Sequence, residues 1–269
     1  MVKIAIGIST VQKRRQEALL LSRDILELSE SNVPISIIVL SQGEDINIEE
    51  DIEDGIKLIR SCKRGLSLSR NTLINQLNAE YLWLIDDDII ISKQSLRRVV
   101  SLIEKTKKAD VLIGKIECSD SQSLEYYKKY TTRNGLVGLL KTSSIEMIIK
   151  KDFIIDNDIR YNPLLGLGAK YPCGEENYFL VECWNKGAEI NFFDETFIYH
   201  PCNEKKANLF GYFQTKEQVM SKVLLTKLLP FNFSVLYALK VIKTLMINRR
   251  NIKLALFFIR AVLTTKEIK

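Results

Sequence analysis

The chain is poor in the features that staple or anchor a protein. It has only five cysteines in 269 residues, at Cys62, Cys118, Cys173, Cys183 and Cys202, and no CxxC pair. That odd, scattered set excludes a disulfide framework and a zinc knuckle, and it predicts reduced thiols in a cytoplasm. No apolar run approaches the roughly 20 uninterrupted residues of a spanning helix. The best stretch in the tail, Val223 to Ile247, is broken by Lys227, Pro230, Asn232, Ser234, Lys240 and Lys243. Met1 to Ile8 lacks the cationic segment, long apolar stretch and small-residue cleavage site of a signal peptide, and reads as a buried strand. There is no internal repeat and no low-complexity tract. The expectation is a cytoplasmic protein, soluble or bound to a surface.

What is present is a globular composition, 46% apolar and 27% charged, enough to bury a sizeable core. The formal net charge of +6 is unevenly placed. From Lys205 to Lys269 there are 13 Lys and Arg against 2 Asp and Glu, a net of +11. The first 204 residues hold 26 against 31, a net of −5. An acidic body over residues 1–204 and a basic tail over 205–269 imply one task at an anionic surface and another elsewhere.

Along the body, strand and helix signals alternate. Lys3 to Ser9, Val33 to Leu40, Ile56 to Arg60, Tyr81 to Ile85, Val111 to Glu117 and Ile190 to Tyr199 are strand candidates, rich in β-branched and aromatic residues. Helical spacing marks Arg14 to Ser29, Ser67 to Asn78, Ser92 to Lys105 with Ser92 as N-cap, and a segment from Gly174 to Trp184 that stops at Lys186-Gly187. The acidic stretch Glu44 to Asp54 reads as an exposed loop, Gly135 to Leu140 as a strand or turn, and Asn162 to Cys173 as a Gly/Pro loop. The alternation predicts a mostly parallel sheet covered on both faces, with ligands at the carboxyl ends of its strands.

Four features carry chemistry. Asp86-Asp87-Asp88 ends the apolar run Leu82-Trp83-Leu84-Ile85. Three adjacent carboxylates repel unless neutralised, and residues two apart in an extended chain point the same way, so Asp86 and Asp88 are placed to share a hard divalent cation that also grips diphosphate. A solvated turn is the alternative. His200, the only histidine, follows the last strand as a metal ligand or as a structural residue. Glu175-Glu176 opens a helix, either to complement its dipole or to supply a general base for an incoming hydroxyl. Arg70 sits where Ser67 or Ser69 can cap a helix, as an anion contact or as a plain surface arginine.

The order of these motifs resembles family 2 glycosyltransferases of the GT-A fold: a first strand ending in Ser9-Thr10, Gly65-x4-Arg70-Asn71, the Asp86-Asp87-Asp88 run, Gly174-Glu175-Glu176 with Asn185-Lys186-Gly187 behind it, and Tyr199-His200-Pro201. The resemblance covers about residues 1 to 204. It implies an α/β, Rossmann-like, mostly parallel mixed sheet flanked by helices, with a C-terminal helical extension. It also implies that Ser9, Thr10, Gln42, Arg70, Asp86 and Asp87 bind the nucleotide sugar. Asp88, Asp86 and His200 would hold Mn²⁺ or Mg²⁺, and Glu176, with Glu175 beside it, would be the base. The family's acid after the second strand is replaced by Ser41-Gln42, and its Glu-Asp pair here is Glu-Glu.

The reaction so implied is inverting transfer of a sugar from a nucleoside diphosphate, UDP, to a hydroxyl of a lipid-linked or cell-surface polysaccharide precursor. A sugar-phosphate nucleotidyltransferase is the first alternative, although Gly7 to Val11 supplies no Gly-rich phosphate loop. A non-catalytic membrane-bound assembly protein is the second. In the tail, Lys240, Lys243 and Thr244 fall on one helical face with Val241, Ile242, Leu245 and Met246 opposite. Arg249, Lys253 and Arg260 repeat this against Leu254, Leu256, Phe257 and Ile259. Basic amphipathic helices of this kind lie on anionic lipid, which places the protein peripherally on the inner face of the cell membrane. Packing on the body or in a homodimer is the competing reading. The interleaved Leu, Ile and Phe do not suit nucleic acid.

Overall fold

The computed structural model describes residues 3–29, 34–106, 108–119, 134–201, 213–248 and 250–265. An eight-stranded mixed sheet runs through it in the order β3-β4-β2-β1-β5-β7-β6-β8. The strands are β1 Ile4–Val11, β2 Ile35–Gln42, β3 Ile48–Glu53, β4 Ile56–Ser61, β5 Tyr81–Asp86, β6 Val111–Cys118, β7 Met147–Lys150 and β8 Ile190–His200. β1 lies parallel to both β2 and β5, β2 parallel to β4, and β6 parallel to β8. β3 pairs antiparallel with β4, and β7 pairs antiparallel with β5 and β6.

The period-2 alternation of β1 splits the core in two. Ile4, Ile6 and Ile8 face a layer built with Leu19 and Ile25 of α1 (Arg15–Leu28) and Leu96, Val99 and Ile103 of α3 (Lys93–Lys105). Ala5 faces the other layer, with Leu73, Ile74 and Leu77 on or just after α2 (Leu66–Gln76) and Phe179 and Leu180 of the helix Glu175–Asn185. Trp83 fills the first layer. Its ring meets Phe197 edge-on with centroids 6.1 Å apart, and its indole N–H donates to the Ile145 carbonyl at 2.9 Å. Each such side chain contributes about 1.5–3 kcal/mol by burial, provided its polar atom is paired.

The expected strands and main helices are all present, with ends shifted by at most two residues, and Ser92 caps α3 by accepting from Ser95 N–H at 3.0 Å. Some readings are corrected. Part of the Glu44–Asp54 stretch is β3, an edge strand joined to β4 by a tight turn in which Asp54 and Gly55 both have positive φ; a two-residue Asp-Gly loop suits that hairpin geometry. Gly135–Leu139 is a short helix, α4, instead of a strand. Two elements were not anticipated: β7, and α5 (Lys151–Asp156) directly after it. Four apolar residues carry too little periodicity to identify β7. Neither Ser67 nor Ser69 caps α2: Ser67 Oγ donates to the Leu165 carbonyl and Ser69 Oγ bonds Ser9 Oγ. Cys118 is disulfide-bonded, against the expectation of uniformly reduced thiols, whereas Cys62, Cys173 and Cys183 are free. Cys202 lies outside the described residues.

After residue 213 the chain forms α7 (Lys216–Leu228), α8 (Phe231–Lys243) and α9 (Ile252–Thr264) around their own small core of Val219, Val223, Val241, Leu245, Leu254 and Phe258. α7 starts at a Thr215/Gln218 capping box. It packs on the body: Leu224 meets Leu165, Tyr171 and Tyr178, and Asn185 Nδ2 donates to the Leu228 carbonyl at 2.9 Å. No described helix is long and apolar enough to cross a membrane.

Candidate active site

The site forms where β1 and β5 end side by side, with Ser9 opposite Asp86 in the register. A short antiparallel bridge between Ile90 and Tyr199 ties the loop after β5 to the end of β8, and its two 2.8 Å backbone bonds carry His200 to the carboxylates. The helix Glu175–Asn185, α6, presents its N-terminus to the same place.

The three aspartates diverge. Asp86 takes a contact from Arg70 Nη2 at 3.4 Å. Asp87 accepts from Thr10 Oγ1 and pairs with Arg14 Nη2 at 2.9 Å. Asp88 faces His200, Oδ1 to Nε2, at 3.5 Å. The structure thus brings Asp88 and His200 together and turns Asp86 towards Arg70. Among the described residues no group of three or more His, Cys, Asp or Glu side chains is gathered as a metal cage. Burial raises the Asp86 and Asp87 pKa values from the ordinary aspartate value, opposed by Arg70 at the first and by Thr10 and Arg14 at the second. The His200 pKa is raised chiefly by its hydrogen bond with Asp88.

Arg70 is the hub. It is 2% exposed, donating to Glu175 Oε1 at 3.1 Å and to Ser144 Oγ at 2.6 Å. Its guanidinium lies 5.4 Å from the centroid of the Tyr161 ring, which stacks on Phe179. Burial works against its charge, but Tyr161, Asp86, Glu175 and Glu176 together raise its pKa. A planar fork with several fixed donors suits a site that must hold two carboxylates at set positions.

Glu175 is buried and Glu176 is partly exposed. Gly174 enters the left-handed region at φ 83° to start α6. Gly166 approaches from the loop: a Cβ there would lie 3.1 Å from Glu175 Cδ, and its φ of 100° also favours glycine. Burial first, and the Glu175 carboxylate second, push the Glu176 pKa up to about 8. A carboxyl so poised takes a proton near neutrality.

Gln42 is buried and serves the loop, its Oε1 accepting from Gly65 N–H at 2.7 Å. A cavity of about 470 Å³ opens beside it, lined in part by Ser61, Lys63, Leu68, Ser69 and Asn71. Three neighbours escaped the sequence reading. Glu44, 7% exposed, accepts from Ser41 Oγ at 2.6 Å and from Arg15 Nη1 at 2.8 Å; it was hidden in an acidic stretch. Ser144 completes the Arg70 shell, and nothing local marks it. Lys222 of α7 is buried, its Nζ 3.9 Å from where a Cβ on Gly174 would lie. Burial lowers its pKa, but Tyr237, Cys173, Glu176 and Glu175 outweigh that and keep it charged.

Among known proteins, the family model for glycosyl transferase family 2 matches residues 29–162. No curated protein matches the chain. Solved structures of S. aureus TarS share its fold. The structure of TarS 1-349 in complex with UDP aligns at TM-score 0.64 and 15% identity, over 98% of this chain and 75% of that one. The complex of the same fragment with UDP-GlcNAc aligns at 0.64 and 17%, over 93% and 74%. A longer TarS chain aligns at 0.63 and 14%, of which 44% is covered. A family match that begins just before β2 and ends at the start of the glycine loop, on a sheet folded as in TarS, identifies residues 29–162 as a glycosyl transferase family 2 region carried on a GT-A fold.

Proposed function

We propose that the protein is an inverting, metal-dependent glycosyltransferase. It moves a sugar from a nucleoside diphosphate, UDP, to a hydroxyl of a lipid-linked or cell-surface polysaccharide precursor, at the inner face of the cell membrane. The observation that carries this reading is the buried Arg70, which joins the donor-side carboxylate Asp86 to the base-side Glu175–Glu176 pair across one cleft. The bound UDP and UDP-GlcNAc of the TarS structures support the donor class.

In this reaction Glu176 accepts the proton of the acceptor hydroxyl. The freed oxygen forms a bond to the anomeric carbon from the face opposite the diphosphate. The carbon–oxygen bond to the diphosphate breaks, and the nucleoside diphosphate leaves with that electron pair. Thr10 and Arg14 hold Asp87, and Arg70 holds Glu175, so that the acids flanking the donor do not repel one another out of position.

Asp88 and His200 fit Mn²⁺ or Mg²⁺. They offer a carboxylate oxygen and an imidazole nitrogen facing each other at 3.5 Å; with Nδ1 donating to the Pro201 carbonyl at 2.8 Å, Nε2 would ligate a cation once it gives up the proton it shares with Asp88. When bound between these two residues, the cation would supply compensation for the charge of the departing diphosphate.

Replacing Glu176 with Gln tests the reading. Transfer should fall by about 10²–10⁴-fold, the range for loss of a general base, while the thermal shift given by UDP-sugar with Mn²⁺ persists. Loss of that shift with transfer retained would remove Glu176 from the role of base. Anomeric configuration of the product, read by NMR, checks inversion.

A further inference from the structure

We propose that the outward faces of α8 and α9 form a docking surface for an anionic lipid bilayer. The inference rests on the proposed membrane site of action and names the surface that meets it. On α9, Ile252, Leu256, Ile259 and Leu263 follow i, i+4, i+7, i+11 spacing and form one stripe. All four are exposed, Leu256 at 62% and Leu263 at 78%. The opposite side of the same helix, Leu254, Ala255, Phe258 and Ala261, is already buried in the tail core. A helix apolar on both sides and covered on one has a second face that water does not favour. On α8, Leu236 and Leu239 are likewise exposed.

This partition differs from the one the sequence suggested. Val241, Leu245 and Leu254 turn inward, whereas Met246, Leu256 and Ile259 lie on the exposed side with the cations.

Charge identifies the occupant. Lys240, Lys243, Lys253 and Arg260 are exposed around these residues, and from Gln218 to Lys266 the chain contains no Asp or Glu at all. A second copy packed face to face would oppose these cations with their own images and supply no acid. A leaflet containing anionic headgroups supplies the counter-charge and accepts the leucines. Each of the two helices has 13 residues, about 20 Å at 1.5 Å per residue. That is too short to span a bilayer and suited to lying in its interface.

Sedimentation of the full chain with phosphatidylcholine vesicles, with and without about one third phosphatidylglycerol, tests the surface. Wild type should bind only the anionic vesicles, and less as salt rises. The triple variant Lys240→Gln/Lys253→Gln/Arg260→Gln should lose roughly 100-fold in partition, at the worth of each cation near such a surface. Leu256→Asn and Leu263→Asn should each cost roughly tenfold. Because these side chains are exposed, circular dichroism and transfer to a soluble acceptor should be unchanged. Wild type failing to bind anionic vesicles would overturn both the docking and the membrane site of action. Wild type binding with every variant unaffected would overturn this face alone. A concentration-dependent dimer abolished by the leucine variants, seen by light scattering without vesicle binding, would give the surface to a second copy.

Discussion

The candidate active-site cleft and the outer surface of the tail handle unfavourable groups in opposite ways. In the cleft, carboxylates are crowded together and partly withdrawn from water, and each is answered by a named partner: Arg70 for Asp86 and Glu175, Arg14 and Thr10 for Asp87, His200 for Asp88. On the tail, large apolar side chains remain in water and the charges among them have one sign. Buried charge is costly unless paired, so the cleft had to be assembled from distant elements. Exposed apolar surface costs less per residue, so α8 and α9 can hold theirs until a partner of suitable chemistry covers it.

The comparison makes distinct demands on mutants. The largest effect belongs to the cleft, where Glu176→Gln removes the proposed base and should cost transfer orders of magnitude with the fold intact. Arg70→Met should be next. Loss of one member of a buried ion pair leaves Glu175 uncompensated, and urea unfolding should show about 3–5 kcal/mol of lost stability. A Met variant as stable as wild type would mean that the hub is dispensable.

A smaller effect links the two regions. With the Glu176 pKa pushed up to about 8, the proposed base is ionised only as pH rises, so kcat/KM should increase as pH climbs through about 8. Lys222 faces the same pair from α7, and a nearby cation favours the ionised carboxylate. Lys222→Met should therefore move the acidic limb to higher pH, by up to about one pH unit, and Lys222→Arg should restore it. An unmoved profile would reduce Lys222 to a packing residue. The smallest effect belongs to the tail surface: Leu256→Asn should change unfolding free energy by less than about 0.5 kcal/mol, as expected for an exposed position.

How far the site could be read in advance depended on how local its logic is. The Asp86–Asp88 run was legible because an apolar strand ends abruptly in acids, and the Glu175–Glu176 pair because a Gly loop opens a helix there. Arg70 was marked by its motif, but its partnership with Glu175 spans 105 residues, and no periodicity encodes that distance. Glu44 was misread for the opposite reason. Its neighbours in sequence are solvent-facing acids, and only the approach of Ser41 and Arg15 sets it apart. The buried cation Lys222 is invisible in the sequence because it lies in a tail whose composition reads as a separate basic unit.

The sequence by itself determined the alternation of strands and helices, the acids at the end of β5, the helix opening at Glu175 and the excess of cations after residue 204. These follow from local propensity and composition, which act over a few residues. Tertiary structure decided which carboxylate meets which cation and which tail leucines turn inward. It also set Lys222 near the Glu175–Glu176 pair and inserted β7 between β5 and β6. Those choices depend on burial and on pairing between distant parts of the chain, where the energy of a charge or a methyl group is set by what folding places next to it.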